Sequence, residues 1–145
     1  MDYSIERYTA AERPIAVRAA TTTWREFPSL WKPLLDEVHA NVDWNGGRPG
    51  RNVMLYLDDV PHVEVGVELD KPAQLGGRVV RSVLPAGEVA TTVHRGPYEE
   101  LGTAHAAVKQ WCADQGLTTA GPRWEVYGHW HDDRVPETEV YYLLG

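Results

Sequence analysis

Arg123-Trp124-Glu125-Val126-Tyr127 alternates two kinds of side chain with the period of two that marks a strand. It has a counterpart earlier in the chain. Asn52-Val53-Met54-Leu55-Tyr56 runs in the same register 71 positions before it, the spacing from Tyr56 to Tyr127. Around each copy the same order of elements recurs. Ahead of the first, Pro14–Ala20 reads as a strand, and Thr23-Trp24-Arg25-Glu26 has the capping-box pattern. Phe27, Trp31, Leu34, Leu35, Val38 and Val42 then follow at helical spacing, with Pro33 expected to kink the helix. Ahead of the second, Glu88–Arg95 reads as a strand, and Gly96-Pro97 opens a helix with the stripe Tyr98, Leu101, His105, Val108 and Cys112. Gly116 ends that helix. His62–Leu69 and Thr138–Leu144 supply a further strand after each copy. The reading is a duplicated α+β domain over residues 1–145, with pseudo-repeats at about 1–70 and 77–145. Each half is β-α-β-β, with the first strand of the chain and its mate at Arg78–Leu84 pairing or swapping between halves. Such a chain makes a curved antiparallel sheet with both helices on one face.

Composition narrows the function. Of 145 residues, 43% are hydrophobic and 24% charged, as in a folded globular chain. Twenty-one acidic against fourteen basic residues give −7, which disfavours a basic nucleic-acid or membrane face. The expectation is a cytoplasmic protein, since neither end reads as a signal peptide and no run approaches the ~20 apolar residues of a bilayer span. The single cysteine, Cys112, excludes an intrachain disulfide and a thiolate zinc site. Six Trp and seven Tyr against one Phe are aromatics with polar edges, suited to pockets and interfaces as well as to cores.

Alternation sorts the strands into two faces. Val53, Leu55, Leu57, Val63, Val65, Val67, Leu69, Trp124, Val126, Val140, Tyr142 and Leu144 form an apolar set, expected to lie under the helices. Met54, Tyr56, Glu64, Gly66, Glu68, Glu125, Tyr127, Glu139 and Tyr141 fall on the other face. Tyrosines interleaved with carboxylates suit a flat or cationic ligand, and they are equally routine on a solvated sheet face. Glu125 stands out because it sits mid-strand between Trp124 and Val126, where its mate is Met54. A carboxylate there needs water or a partner, and if partly buried it is a cation acceptor or a general base. His129 and His131 share a strand face, but no second pair of ligands has useful spacing, so no metal and no cofactor is expected. The chain has no G-x-S-x-G elbow, no phosphate loop and no basic helix-turn-helix.

His94-Arg95-Gly96-Pro97-Tyr98-Glu99-Glu100-Leu101, then Trp124-Glu125-Val126-Tyr127-Gly128, then Pro136 and Thr138-Glu139-Val140-Tyr141, resembles the GyrI-like small-molecule-binding domains. These include the effector-binding domains of AraC-type and MerR-type multidrug-responsive regulators. The resemblance spans nearly the whole chain and is strongest from Pro85 to Leu143. It implies a ligand cleft where the two halves meet, with Glu125 facing cationic, aromatic ligands and flanked by aromatic side chains. Tyr98 and Tyr127 match motif positions; Tyr56, Met54, Trp130 and Tyr141 join the candidate set from the face argument. The expected function is a stand-alone module that binds planar, hydrophobic, often cationic compounds for sensing or sequestration. Having no DNA-binding segment of its own, it would act through a regulator partner or as a homo-oligomer. Two alternatives stay open. One is a hydrolase that opens strained, cyclopropane-type rings with Glu125 directing a water. The other is a protein-interaction role of the gyrase-inhibitor type.

Overall fold

The computed structural model describes residues 3–145. Ten strands and two helices follow one another: β1 (Glu6–Ala10), β2 (Arg13–Thr21), α1 (Phe27–Ala40), β3 (Val42–Asp43), β4 (Asn52–Tyr56), β5 (His62–Glu68), β6 (Gln74–Leu75), β7 (Val80–Leu84), β8 (Gly87–Arg95), α2 (Leu101–Asp114), β9 (Thr119–Tyr127) and β10 (Glu137–Leu144). Eight strands form one antiparallel sheet in the order β1-β8-β10-β9-β4-β5-β2-β7, and β3 and β6 make a separate two-residue ladder. The halves β2-α1-β4-β5 and β8-α2-β9-β10 share one order and meet at the β4–β9 pair. Each leading strand crosses over, so β1 pairs with β8 and β7 with β2.

The start of α1 and the end of α2 rest on local chemistry legible in their residues. The Thr23 hydroxyl accepts the Glu26 N–H at 3.1 Å, holding the turn that leads into α1. Pro28 occupies the first helical turn, where its missing N–H has no partner to lose. Pro33 lies inside α1, which runs on to Ala40. Just past the end of α2, Gly116 turns the chain at a φ of 70°, which favours a residue without a Cβ, and Leu117 N–H then reaches back to the Cys112 carbonyl at 2.8 Å.

The sheet is apolar on both faces, which corrects the expected sorting. Under α1 lie Met54, Tyr56, Val63, Val65 and Val67; under α2 lie Ala90, Val140 and Tyr142. β5 and β10 are thus in the expected phase, whereas β4 and β9 are reversed. Val53, Leu55, Trp124 and Val126 pack on the face away from the helices, with Ile15, Val17, Leu84, Val89 and Tyr141. That second core joins residues from β2 and β7 at one end of the sheet to β8 near the other. The sheet therefore curls until its own strands cover the face that no helix covers.

Candidate functional site

On the helix side, over the central β4–β9 pair, the two halves leave a cavity of about 550 Å³. Its floor is the strand face that carries Met54, Tyr56, Glu125 and Tyr127. One wall is α1, with Phe27, Trp31 and Leu35; the other is the turn before α2 and its first residue, with Tyr98 and Leu101. The mouth is formed by His39, the Arg48–Gly50 loop, Asn52 and the residues after β9, His129 and Trp130. Six candidates, Met54, Tyr56, Tyr98, Glu125, Tyr127 and Trp130, line this one space. Tyr141 does not: its ring stacks on Trp124 at 5.5 Å in the core on the other side of the sheet. Glu64, Gly66, Glu68 and Glu139, placed by alternation on one face with Glu125, also point away from the cavity, because β5 and β10 are out of phase with β4 and β9.

Glu125 is 5% exposed, and both of its oxygens have partners. Its Oε1 accepts the Tyr56 hydroxyl at 2.9 Å and the Tyr127 hydroxyl at 2.5 Å. Its Oε2 lies 2.6 Å from His105 Nε2, and His105 Nδ1 lies 2.7 Å from the Tyr142 hydroxyl. One tautomer satisfies both imidazole contacts: Nε2–H donates to Glu125 and Nδ1 accepts from Tyr142. Burial, reinforced by the neighbouring Glu125, holds the Tyr56 and Tyr127 hydroxyls well above their ordinary range, so both remain donors. Burial, partly opposed by Arg123, pushes Tyr142 up to about 12. A carboxylate offers about four acceptor positions, and three are filled, leaving one on Oε2.

The aromatic rings are set in pairs by the duplication. Tyr56 has the Trp24 ring at 5.5 Å and the Phe27 ring at 5.5 Å, and Tyr127 has Tyr98 at 5.8 Å in an edge contact. Trp24 is 45% exposed and carries the Arg123 guanidinium over its ring at 5.4 Å. Trp31, from the α1 stripe, lines the cavity. Tyr98 reaches its place through the Gly-Pro turn before it. Buried His94 pins that turn, its Nε2 2.9 Å from the Pro97 carbonyl and its Nδ1 2.9 Å from the Tyr3 hydroxyl. Gly96, at a φ of 151°, turns the chain there and bonds its N–H to the Pro136 carbonyl.

His105 and Tyr142 were absent from the sequence-derived candidates. The signal was present in His105, a titratable ring in an otherwise apolar helical stripe, which calls for a buried polar partner. The α1 wall and the Arg48 loop carried no such signal. Among the described residues, no group of three or more His, Cys, Asp or Glu is placed to hold a metal ion, and no helix is long and apolar enough to cross a membrane.

No curated protein matches the chain in sequence. Several solved structures match its fold. The C-terminal domain of EcmrR shares 20% identity at a TM-score of 0.73, with 100% of this chain and 99% of that one covered. In the cryo-EM structure of an EcmrR–DNA complex, the match covers 98% of this chain but 57% of the regulator, at a TM-score of 0.72 and 22% identity. SAV2435 bound to tetraphenylphosphonium aligns at a TM-score of 0.70 with 11% identity, covering 100% and 94% of the two chains. A hydrolase encoded by lin2189 from Listeria innocua aligns at 0.63 with 12% identity, covering 97% and 91%. At these identities the likeness is one of fold. The family model described as the GyrI-like small molecule binding domain matches residues 1–144, and the chain belongs to that family.

Proposed function

We propose that this GyrI-like domain binds hydrophobic, multi-ring cations in the cavity over β4 and β9, with Glu125 as the counter-charge. One observation carries the reading: a single carboxylate, held by three donors, lies at the floor of a cavity walled by Phe27, Trp31, Tyr56, Tyr98, Tyr127 and Trp130. A carboxylate buried among rings without partners is costly, and its donors keep it in place while its charge stays available to a ligand. Ring faces attract cations, and a water-poor floor strengthens the attraction. The tetraphenylphosphonium bound by the similarly folded SAV2435 has this character. Such a module senses compounds by way of a regulator partner or sequesters them. The test compares tetraphenylphosphonium with the neutral triphenylphosphine oxide by calorimetry. The cation is expected to bind at least about tenfold tighter, equivalent to 1.4 kcal/mol, and Glu125→Gln to remove most of that margin. Equal affinity for the two compounds in the parent protein overturns the proposal.

A hydrolytic reading has one observation in its favour, the open acceptor position on Glu125 Oε2, together with the fold shared with the Listeria innocua hydrolase. A water there would stand between the carboxylate and a bound strained ring. Product formed from a cyclopropane-bearing aromatic substrate, and lost in Glu125→Gln, supports that reading; an unchanged substrate recovered from the complex rejects it.

A further inference from the structure

The cavity carries a positive side chain, Arg48, at its mouth and a negative one, Glu125, on its floor. Arg48 is exposed there and, among the described residues, makes no ion pair or side-chain hydrogen bond. Arg51, one strand-start away, is by contrast tied to Glu68 and Glu139. Asn52 and His129 line the same cavity. The Asn52 Oδ1 lies 2.7 Å from His39 Nε2, which leaves the amide N–H groups of Asn52 unspent. Burial first, then Arg48 and Arg51, hold the His129 imidazole below the ordinary range, and Glu68 opposes them more weakly. In a chain of net charge −7, the cavity thus has, among the described residues, one guanidinium without an ion-pair partner above the Glu125 floor, and Arg48 also lines a neighbouring hollow with Asp43, Asp70 and Lys71.

We infer that the preferred ligands are bipolar: a hydrophobic cation whose ring system faces Glu125 and which carries an anionic group, such as a carboxylate, that reaches Arg48 and Asn52 at the mouth. This rests on the cation-binding reading and adds the second charge to it. A purely cationic ligand satisfies the floor and meets an unpaired guanidinium on its way in. A ligand with a carboxylate on a flexible arm satisfies both ends, and the guanidinium and amide donors match a planar anion.

The experiment uses one cation in two forms, (4-carboxybutyl)triphenylphosphonium and its methyl ester, titrated into the full chain at low ionic strength. The acid is expected to bind about fivefold tighter than the ester, as befits an ion pair at an exposed rim, and the margin shrinks with added salt. Arg48→Gln is expected to bring the ratio close to one, because losing a positive charge disfavours the acid and favours the ester. In parallel, NMR titration of His129 reads the rim directly: the bound acid raises its pKa, the bound ester does not. If the ester binds through Glu125 and the acid binds no tighter, the bipolar inference fails and the cation site stands. A preference for the acid that survives Arg48→Gln also overturns the inference. If neither compound binds, both readings fall.

Discussion

Met54 and Glu125, the same position in the two half-repeats, are direct cross-strand partners at the centre of the sheet. The duplication thus places a thioether and a carboxylate side by side on the cavity floor, with the Met54 sulfur 3.6 Å from the Tyr56 hydroxyl and 3.7 Å from that of Tyr127. One half keeps an apolar residue where the other holds a charge that three donors must satisfy. Glu125→Gln retains an acceptor for both phenols, and its amide can donate to His105 in the other tautomer. Glu125→Met, the solution of the first half, leaves three buried or half-buried donors with only sulfur to face. Unfolding in denaturant should show Glu125→Met destabilised by about 2–4 kcal/mol and Glu125→Gln by less than half of that. Equal losses would mean that the donors are not held by this oxygen pair.

Tyr56 and Tyr127 both donate to Glu125 Oε1. Removing one hydroxyl leaves the other to satisfy the same oxygen, so the pair should not behave additively. Tyr56→Phe and Tyr127→Phe are each expected to cost about 1 kcal/mol. The double variant should exceed the sum by at least about 0.5 kcal/mol, the scale of coupling in one hydrogen-bond network. A double-mutant cycle with zero coupling would place the two phenols in separate environments.

Arg51 joins the halves from outside the cavity. It donates to Glu68 at the end of β5 and to Glu139 near the start of β10, and Arg13 also pairs with Glu68. Burial alone would push the Glu68 carboxyl up, but Arg51 and Arg13 outweigh it and hold the group below its ordinary value of 4.5. A carboxyl whose folded value is depressed adds stability above its unfolded value, and that stability is lost as pH falls through the folded one. The parent protein should therefore lose stability as pH falls below about 4.5, and Arg51→Met should lose less over the same interval. At neutral pH the substitution is expected to cost roughly 1–3 kcal/mol, since it leaves Glu68 and Glu139 with fewer partners. Thermal melts across the acid range check both statements, and parallel curves for the two proteins would refute the linkage.

The main elements and the duplication were legible because each rests on local signals: period-two alternation, a helical stripe, a capping threonine, a Gly-Pro opening; the leading strands were left as pairing or swapping between halves, because their partners are distant in sequence. The two faces of the sheet were not. Alternation shows that Trp124 and Glu125 lie on opposite faces, but it does not say which face a helix covers. When the sheet curls over its own second core, Trp124 and Val126 are as buried as Val65 and Val140 under the helices. Their apolar character therefore pointed to the wrong layer. Glu125, Tyr127, Tyr56 and Met54 stayed together because they are cross-strand or same-strand neighbours, whereas Tyr141 was grouped with them across an unseen half-period. The cavity walls from α1 and the Arg48 loop depend on how the helices sit over the sheet, which no short stretch of sequence encodes.

Gly66 offers the last test, at a position where alternation suggested a floor for ligand. It lies in β5 opposite Val17 of β2, and a Cβ added there would run into the Ala16 carbonyl and the Val17 Cα of that strand. The obstacle is backbone, which cannot swing aside as a side chain does, so the β2–β5 ladder itself must part. Gly102, inside α2, is the control, because a Cβ there meets nothing within 4 Å. Gly66→Ala is expected to cost at least about 3 kcal/mol or to prevent folding, in the range of severe overpacking. Gly102→Ala should stabilise by about 0.5–1 kcal/mol through the lower entropy of the unfolded chain. Circular dichroism melts of the two variants decide the matter. A well-folded Gly66→Ala protein with the parent's melting temperature would show that β2 and β5 do not approach as closely as the sheet register requires.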